Sequence, residues 1–513
     1  MTRHGMGMRK WLPLLTVCLG TFMLLVDVTI VNVALPSMAI DLNASFAALQ
    51  WVIDVYAIGL AALLLGAGAL ADRVGHRLIY VGGLMVFAVS SLACGLAPGT
   101  AGLIVARGLQ GVGAAAMFAT TIALINASYE RRDRGIAFGV WGAVNGAAAA
   151  AGPIAGGLLT EGLSWRWIFF VNLPVSVAAV TMSLRALPRE ERRAGAGFDV
   201  AGVAAFTVAA GSLTYALTRA PEIGWTAATT LVLLATAGAA TLAFVVSQLR
   251  GANPIIELAL LRRPAFSGVL IASLLLSVAA FSYFPLTSLW LQSVQGMSPI
   301  HAGLALLPLS LAALVTALLV GRVLHGTSPR LLIGAGLALI GAGALVQARL
   351  GAGSTAASLI PGLVIAGVGV GLTSPTLASA ALAAVPVQRG GMAAGAVNTM
   401  RQLGYALGIA VLGAIGQARI ADALGARHVT NAPRSAASDL VSGKASALLA
   451  HAPAAQRDRL DVALHATFPA GLNAALIAAG AVGIAGALLV AIMVRAREPG
   501  EALTSARPSP VRG

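Results

Sequence analysis

The sequence predicts an all-α protein that crosses a membrane many times. Hydrophobic residues make up 58% of its 513 residues, charged residues make up only 10%, and the mean hydropathy is +0.88. Soluble domains carry about 25% charged residues, so the composition excludes that class. The apolar runs have about the length of a helix that crosses the hydrocarbon core, and they are too long for the strands of a membrane barrel.

Fourteen spans are predicted along the chain. A basic tail, residues 1–10, precedes the first apolar run, which begins at residue 11. That run is long, contains Asp27 and has no convincing small-residue cleavage site, so we interpret it as an uncleaved span and not as a signal peptide. The other predicted spans cover roughly residues 50–70, 78–97, 101–126, 136–159, 167–187, 200–218, 227–249, 266–290, 301–321, 331–350, 355–377, 392–418 and 470–494.

These spans group into two bundles of six, separated by two extra helices. Gly142-Ala-Val-Asn145 recurs 253 residues later as Gly395-Ala-Val-Asn398, and residues 68–84 align with residues 321–337 at the same offset. Both copies have one orientation, which predicts a parallel repeat. The predicted domains are a tail (1–10), an N-terminal bundle (11–187), a linker with two helices and basic loops (188–264), a C-terminal bundle (265–494) with an external loop at about 420–468, and a second tail (495–513).

Basic residues predict the orientation. An even number of spans places both termini on one side, and the loops of that side hold most of the arginine and lysine. The short loops of the other side hold only Arg166, Arg219 and Arg349. Cytoplasmic loops are enriched in basic residues, so we expect both termini in the cytoplasm and residues 420–468 outside. The same rule explains the net charge of +15 without a nucleic acid partner.

A charged turn separates the second and third spans. Its sequence is Gly68-Ala-Leu-Ala-Asp72-Arg73-Val-Gly75-His-Arg77. The glycines allow a sharp turn and close helix contacts, while Asp72 suits a helix N-terminus and Arg77 suits a C-terminus. The turn resembles the signature loop of the major facilitator superfamily, in which it latches the two halves of the transporter on the cytoplasmic side. The histidine before Arg77 replaces a base that is common in that family, which weakens one charge contact.

Polar side chains inside spans are costly in hydrocarbon and therefore mark candidate functional positions. Asp27 lies in the middle of span one and is followed by Asn32, while Asp54 lies near the outer end of span two. Arg107 and Gln110 lie on one face of span four. We expect Asp54 to be better hydrated than Asp27. For both aspartates, a purely structural hydrogen bond is the alternative to a functional role.

A second polar group lies on span thirteen. Helical spacing places Asn398, Arg401, Gln402 and Tyr405 in one stripe. Such a stripe can line a substrate pathway, or it can join neighbouring helices by hydrogen bonds. The sequence leaves both interpretations open.

The fourth and fifth spans carry further resemblances. Leu103-x-x-x-Arg107-x-x-Gln110-Gly-x-Gly resembles the fourth-span motif of proton-coupled members, whose arginine is linked to proton transfer. Small residues and a proline on span five, followed by the segment Trp165–Pro174, resemble the antiporter motif. Its positions here are Gly142, Asn145, Gly146, Gly152, Pro153, Gly156 and Gly157.

Residues 11–494 as a whole resemble the fourteen-span drug:proton antiporters. The resemblance implies a proton-coupled secondary transporter in the bacterial cell membrane that exports drugs or other small amphiphilic molecules, with Asp27 as the primary proton site and Arg107 tuning it. It implies no enzymatic activity. Two alternatives stay open: a dedicated exporter of one endogenous antibiotic, siderophore or amino acid, and an uptake permease, which only the antiporter motif disfavours.

The sequence shows no motif for a phosphate-binding loop, a disulfide or a metal site. The one Gly-Lys pair, Gly443-Lys444, is followed by alanine, so no phosphate-binding loop is predicted. Cys18 and Cys94 lie in apolar runs without paired spacing, which predicts neither a disulfide nor a metal site. We expect no cofactor and a monomer whose partners are lipid, protons and a small substrate. Because spans of the C-terminal half hold no acid, we expect neutral, zwitterionic or monocationic substrates.

Overall fold

The computed structural model describes residues 3–44, 46–188, 199–251, 254–256, 258–323, 327–351, 353–386, 389–427, 433–441 and 454–494. Within these ranges the chain forms helices joined by short turns, and no strand occurs. The helices of the N-terminal bundle and the linker are α1 (Arg3–Asp41), α2 (Phe46–Val74), α3 (His76–Gly95), α4 (Thr100–Ser128), α5 (Arg131–Gly162), α6 (Trp167–Phe170), α7 (Asn172–Ala186), α8 (Val200–Ile223), α9 (Ala228–Arg250) and α10 (Leu258–Leu261). Those that follow are α11 (Pro264–Ala280), α12 (Phe284–Leu289), α13 (Pro299–Val323), α14 (Pro329–Gln347), α15 (Ile360–Ala383), α16 (Gly390–Ala426), α17 (Pro433–Val441) and α18 (Ala454–Met493).

The predicted all-α membrane fold is confirmed. In the described part of the chain, 13 helical segments are long and apolar enough to cross a membrane. The remaining predicted span is α5, whose 32 residues include polar side chains and many glycines that make it less apolar than the others. It packs between α1 and α13, within the same bundle of helices.

Two seams join the two bundles. At one seam α5 packs along α13, and at the other α2 packs along α16. The helices α5 and α16 carry the two copies of Gly-Ala-Val-Asn. The two seams are therefore related as the predicted parallel repeat requires. We name the two ends of the bundle by their residues: the Asp72 face holds the turn between α2 and α3, and the Asp41 face holds the end of α1.

The linker helices pack against the second seam. Helix α8 contacts α9, α2 and α16. Asp199 caps α8 by accepting hydrogen bonds from the Gly202 backbone N–H, the Ser247 hydroxyl and the Gln248 side-chain amide, each at 2.7 Å. Burial opposes ionisation of this carboxylate, but the three hydrogen bonds outweigh it and hold the pKa of Asp199 below its usual value. Asp199 thus ties the start of α8 to the end of α9.

One predicted span is interrupted. Span six, predicted at 167–187, stays helical from Trp167 to Ala186, since Val171 between α6 and α7 has helical backbone angles. Span nine, predicted at 266–290, divides into α11 and α12 before a π-helical turn at Trp290–Val294. Pro285 lies in the first turn of α12, where its missing N–H is tolerated, so the helix restarts there.

The segment 420–468, predicted as an external loop, is largely helical where the structure describes it. Helix α16 continues to Ala426, α17 follows, and α18 already begins at Ala454. The alanine-rich sequence favours helix even outside hydrocarbon. With 37 residues, α16 is about 55 Å long, against about 30 Å for the hydrocarbon core. Residues 442–453 of this segment, and the tail 495–513, lie outside the described ranges.

The outer surface of the bundle is apolar. Large side chains such as Val89 and Ile492 are 68% and 80% exposed. Lipid solvates such a surface, so helix association depends on close packing and on buried polar contacts rather than on hiding apolar area. The buried polar contacts are therefore the part of the interior that can indicate a functional site.

Candidate functional site

Asp27 is the centre of a buried polar cluster between α1, α4 and α7. Its Oδ2 lies 2.5 Å from Nη1 of Arg107, and its Oδ1 accepts hydrogen bonds of 3.0 Å from the side-chain amides of Gln110 and Asn172. Asp27 and Arg107 are each 1% exposed. The structure therefore brings together Asp27, Arg107 and Gln110, and it adds Asn172.

Ser91 of α3 completes the cluster. Its hydroxyl oxygen accepts hydrogen bonds from Asn172 at 3.0 Å and from Gln110 at 3.3 Å, and it donates to the Phe169 carbonyl at 3.0 Å. Four helices thus contribute side chains to one network, which we call the Asp27 cluster: Asp27, Ser91, Arg107, Gln110 and Asn172. A fully connected network is what makes a buried ion pair tolerable in a low-dielectric interior.

The guanidinium of Arg107 is held on three sides. Its Nε donates to the Val52 carbonyl at 3.1 Å, its Nη1 also donates to Gln110 Oε1 at 2.8 Å, and its carbon lies 4.2 Å from the centre of the Tyr56 ring. The ring face attracts the cation. Arg107 therefore keeps favourable contacts besides the carboxylate of Asp27.

Local sequence explains part of this geometry. Arg107 and Gln110 are three residues apart on α4, so both point to the same side. Asn172 is the first residue of α7, and its side chain lies beside Ser91. The sequence analysis missed Ser91, Asn172 and Tyr56. The segment Trp165–Pro174 gave a signal for Asn172, whereas Ser91 lies in an ordinary apolar run.

The depth of the two aspartates differs from expectation. Arg107 lies about two turns from the start of α4, so the Asp27 cluster lies nearer the Asp41 face than the middle of the bundle. Asp54 lies at a similar depth on α2 and is 6% exposed. Asp54 is therefore slightly more exposed than Asp27, at 6% against 1%, but both side chains are buried. Asp54 is not among the residues that donate to or accept from the Asp27 cluster.

Asp72 joins the two bundles. Its carboxylate accepts hydrogen bonds from the backbone N–H groups of Gly391 at 2.7 Å and Met392 at 2.8 Å, in the first turn of α16. A carboxylate at a helix N-terminus satisfies unpaired N–H groups and interacts favourably with the helix dipole. We call this contact the Asp72 latch.

Arg77, Gly75 and Arg73 of the charged turn lie within the N-terminal bundle. Arg77 donates to the carbonyls of Leu184 at 2.6 Å and Leu187 at 3.2 Å, at the C-terminal end of α7. Gly75 has φ 104°, in the region that favours glycine, and so forms the turn between α2 and α3. Arg73 lies at the last turn of α2 and is partly buried. His76 Nε2 lies 3.3 Å from an oxygen of Asp72.

Gly68 allows α2 and α16 to come into close contact next to the Asp72 latch. A Cβ at this position would lie 2.5 Å from the Gly391 carbonyl oxygen, closer than side chains approach in proteins. A Cβ at Gly395, one turn along α16, would lie 3.0 Å from the Leu64 carbonyl oxygen. Small residues on both helices therefore let α2 and α16 approach almost backbone to backbone.

The antiporter-motif positions all lie on α5. Gly152 contacts Thr29 of α1, and Gly142 approaches Pro375 of α15, so this face packs against both bundles. Asn145 donates to the Trp141 carbonyl of its own helix at 2.7 Å. The positions Gly156 and Gly157 are buried, and the side-chain surroundings of Gly146 and Pro153 lie outside what the structure describes.

A groove of about 220 Å³ lies between α5 and α13. Its lining is apolar apart from one hydroxyl: Ala147, Ala151, Ile154, Leu307, Ser310, Leu311 and Leu314. This volume is below the range of about 300–1,000 Å³ that is typical of pockets for drug-sized ligands.

The span-thirteen stripe does not reach the Asp27 cluster. Asn398 is buried and donates to the Phe118 carbonyl of α4 at 3.0 Å. Phe118 lies about three turns from Arg107 along α4. Arg401 and Gln402 are partly buried, and Tyr405 is 38% exposed. The side chain of Asn32, the other predicted pathway residue, is not among those described.

Metal ligands do not cluster in the described ranges, where no group of three His, Cys, Asp or Glu side chains could hold an ion. Cys18 and Cys94 are both buried as free thiols.

Comparison with known proteins identifies the family. Residues 17–409 match the Major Facilitator Superfamily. The chain belongs to this superfamily. The all-α membrane fold agrees with this assignment.

Individual relatives of this superfamily member are resistance and export proteins. The "Multidrug resistance protein Stp" of Mycobacterium tuberculosis is 37% identical over 80% of this chain and 76% of its own length. The "Tetracenomycin C resistance and export protein" of Streptomyces glaucescens is 33% identical over 99% of this chain and 95% of its own length. Among solved structures, the human organic anion transporter MFSD10 (TETRAN) has a TM-score of 0.61 over 94% of this chain and 99% of its own. At 15% identity that likeness shows the fold alone.

Proposed function

We propose that this superfamily member is a proton-coupled secondary transporter that exports drugs or other small amphiphilic molecules from the bacterial cytoplasm. The buried ion pair between Asp27 and Arg107 carries the proposal, because an ionisable pair in the interior of a membrane protein marks an ion or substrate pathway. The names of the relatives support the export of drugs. The activity needs no cofactor, and the unit of transport is the monomer.

Protonation of Asp27 links the proton gradient to movement of helices. A proton on this carboxylate neutralises it and leaves Arg107 buried without its charged partner. Breaking such a pair costs about 3–5 kcal/mol in a protein interior. The helices α1, α4 and α7, which share the Asp27 cluster, then favour a different arrangement. Release of the proton restores the pair and the first arrangement.

The Asp72 latch holds the cytoplasmic side closed in the arrangement described here. Under the orientation predicted from the basic residues, the Asp72 face is the cytoplasmic one and both termini lie on that side. Substrate entry from the cytoplasm requires the carboxylate of Asp72 to leave the N-terminus of α16. The glycine-rich face of α5 allows the other seam to shift during the same movement. Asp54 assists proton or substrate entry, and the stripe on α16 lines the substrate pathway.

A dedicated exporter of one endogenous antibiotic is the second candidate. The relative from Streptomyces glaucescens, which matches 99% of this chain, bears the name of a single antibiotic. Expression in an efflux-deficient host and a susceptibility panel separate the two candidates. Protection against several unrelated compounds supports a multidrug exporter, and protection against one compound supports the dedicated exporter.

The proton site is tested with Asp27→Asn. We expect the variant to insert normally and to lose at least ten-fold of its pH-gradient-driven efflux in everted vesicles. Asparagine keeps an acceptor for Gln110 and Asn172, but it cannot exchange a proton. Accumulation of a fluorescent substrate after an imposed pH gradient is the measurement.

The control is Asp54→Asn, which removes a second buried acid outside the Asp27 cluster. We expect this variant to keep most of its efflux. Efflux of Asp27→Asn that depends on pH as in the wild type contradicts the assignment. If Asp54→Asn alone loses efflux, Asp54 is the proton site.

A further inference from the structure

Arg401 is a charged side chain inside the bundle that lacks an ionic partner. It lies about 16 Å along α16 from Gly390 and is partly buried. Across the described residues, no hydrogen bond or salt bridge engages its guanidinium. Arg107 shows the contrast, because its charge is matched by Asp27 at 2.5 Å. An unmatched cation at such a depth is costly and marks a functional position.

Neighbouring contacts show which way Arg401 faces. Three residues before it, Asn398 bonds to the Phe118 carbonyl of α4. Three residues after it, Gly404 packs against the backbone of Leu274 on α11. On a helix these two positions lie on either side of Arg401. Its side chain therefore leaves α16 between α4 and α11, where the two bundles meet.

Among the described side chains of the same bundle, no carboxylate pairs with this cation. The membrane spans of the C-terminal half contain no acid. Asp422 is on the same helix, but it lies about 30 Å further along and 4.0 Å from Arg419. In the other bundle, Asp27 already accepts bonds from Arg107, Gln110 and Asn172. Asp54 of α2 is the second buried acid there, and none of the salt bridges among the described residues joins it to Arg401. The counter-charge for Arg401 must therefore come from outside the described chain.

We propose that Arg401 binds the carboxylate of an anionic amphiphile during transport, an inference that rests on the proposed function. A guanidinium offers two parallel N–H donors that match the two oxygens of a carboxylate. Gln402 and Tyr405, within the next turn of the stripe, add an amide and a phenol. This assignment changes the expected substrate class from neutral, zwitterionic or monocationic molecules to organic acids with an apolar body.

Two probes that differ in one negative charge test whether Arg401 binds a carboxylate. Pyrenebutyrate carries a carboxylate, and its methyl ester has the same apolar body without the charge. Fluorescence anisotropy measures binding of each probe to the purified full chain in detergent. Arg401→Gln removes the cation, Arg401→Lys keeps it, and Arg419→Gln removes an exposed arginine from the same helix.

We expect Arg401→Gln to weaken pyrenebutyrate binding at least ten-fold and to leave ester binding within two-fold of the wild type. Arg401→Lys should retain most of the carboxylate preference, and Arg419→Gln should match the wild type. Equal losses for both probes, or unchanged pyrenebutyrate binding in Arg401→Gln, overturn the inference. In either case, efflux that still depends on Asp27 leaves the proposed function intact, so the two failures are distinguishable.

Discussion

At the residue scale, two aspartates hold the protein together by different chemistry. Asp27 pairs with an arginine and two amides inside the N-terminal bundle. Asp72 accepts from two backbone N–H groups of the other bundle. The first contact joins helices within one bundle, whereas the second joins the two bundles.

Asp72→Asn is expected to reduce efflux about ten-fold without loss of membrane insertion. Asparagine lacks the charge and presents an N–H₂ group to one of the two backbone donors, so one hydrogen bond is lost. Interactions of a charge with a helix terminus contribute about 0.3–2 kcal/mol, and about 1.4 kcal/mol shifts an equilibrium ten-fold. Vesicle efflux and the amount of inserted protein are the measurements.

The matched control for the latch is Asp133→Asn. Asp133 pairs with Lys10 at 2.8 Å on the same face, but both side chains are substantially exposed. Exposed pairs contribute about 0–1 kcal/mol, so efflux should stay close to the wild type. Full efflux in Asp72→Asn would remove the latch from the transport cycle.

The residues of the site were only partly predictable. Arg107 and Gln110 follow from helical spacing, and Asp27 follows from the cost of a carboxylate in hydrocarbon. Ser91 could not be predicted, since serine is common in membrane helices and its partners lie on other helices. The partners of Asn172 lie on α1 and α3, which single-sequence periodicity does not show.

At the scale of elements, the seam between α2 and α16 depends on small residues. Their backbones approach closely at Gly68, Gly391 and Gly395. A larger side chain at such a contact forces the helices apart, because packed interiors have no room to spare. The latch can close only if this approach is possible.

Gly68→Ala tests the seam. The added Cβ would meet the Gly391 carbonyl oxygen at 2.5 Å, so the two helices must separate. Overpacking of this kind costs about 1–3 kcal/mol. We expect a lower unfolding temperature in detergent and a several-fold loss of efflux.

Gly82→Ala is the control for that substitution. Gly82 lies in α3, and a Cβ there meets nothing within 4 Å. Alanine also favours helix over glycine by about 1 kcal/mol. The variant should therefore be at least as stable as the wild type. An unchanged unfolding temperature in Gly68→Ala would show that the seam tolerates separation.

The lengths of the elements were harder to predict than their number. Hydropathy locates a span, but it does not register a helix that continues into water. For this reason the ends of α16 and α18 were missed, whereas α3 and α4 were placed within a few residues. The interruption at Pro285 was also missed, although proline within an apolar run is the expected signal.

At the scale of the whole molecule, labelling of introduced cysteines tests the orientation in the membrane. Gly353→Cys places a thiol in the exposed turn between α14 and α15 at the Asp41 face, and Arg185→Cys places one at the Asp72 face. An impermeant maleimide on intact cells should label position 353 only, because the excess of basic residues predicts a cytoplasmic Asp72 face.

Everted vesicles provide the reverse experiment, in which position 185 should become labelled. The wild-type chain is the unlabelled control, since Cys18 and Cys94 are both buried. Labelling of position 353 from the cytoplasmic side alone would reverse the proposed direction of transport.

The length of α16 means that a small tilt of this helix at the Asp72 latch gives a large displacement at its other end. This helix is held at one end by Asp72 and extends about 55 Å to the opposite face, where α17 packs against it. A rigid rod of that length is a lever: a tilt of about 10° at the latch moves its far tip by about 10 Å. If the latch opens by such a tilt, the loss of two hydrogen bonds at the Asp72 face accompanies a displacement at the Asp41 face as wide as a helix.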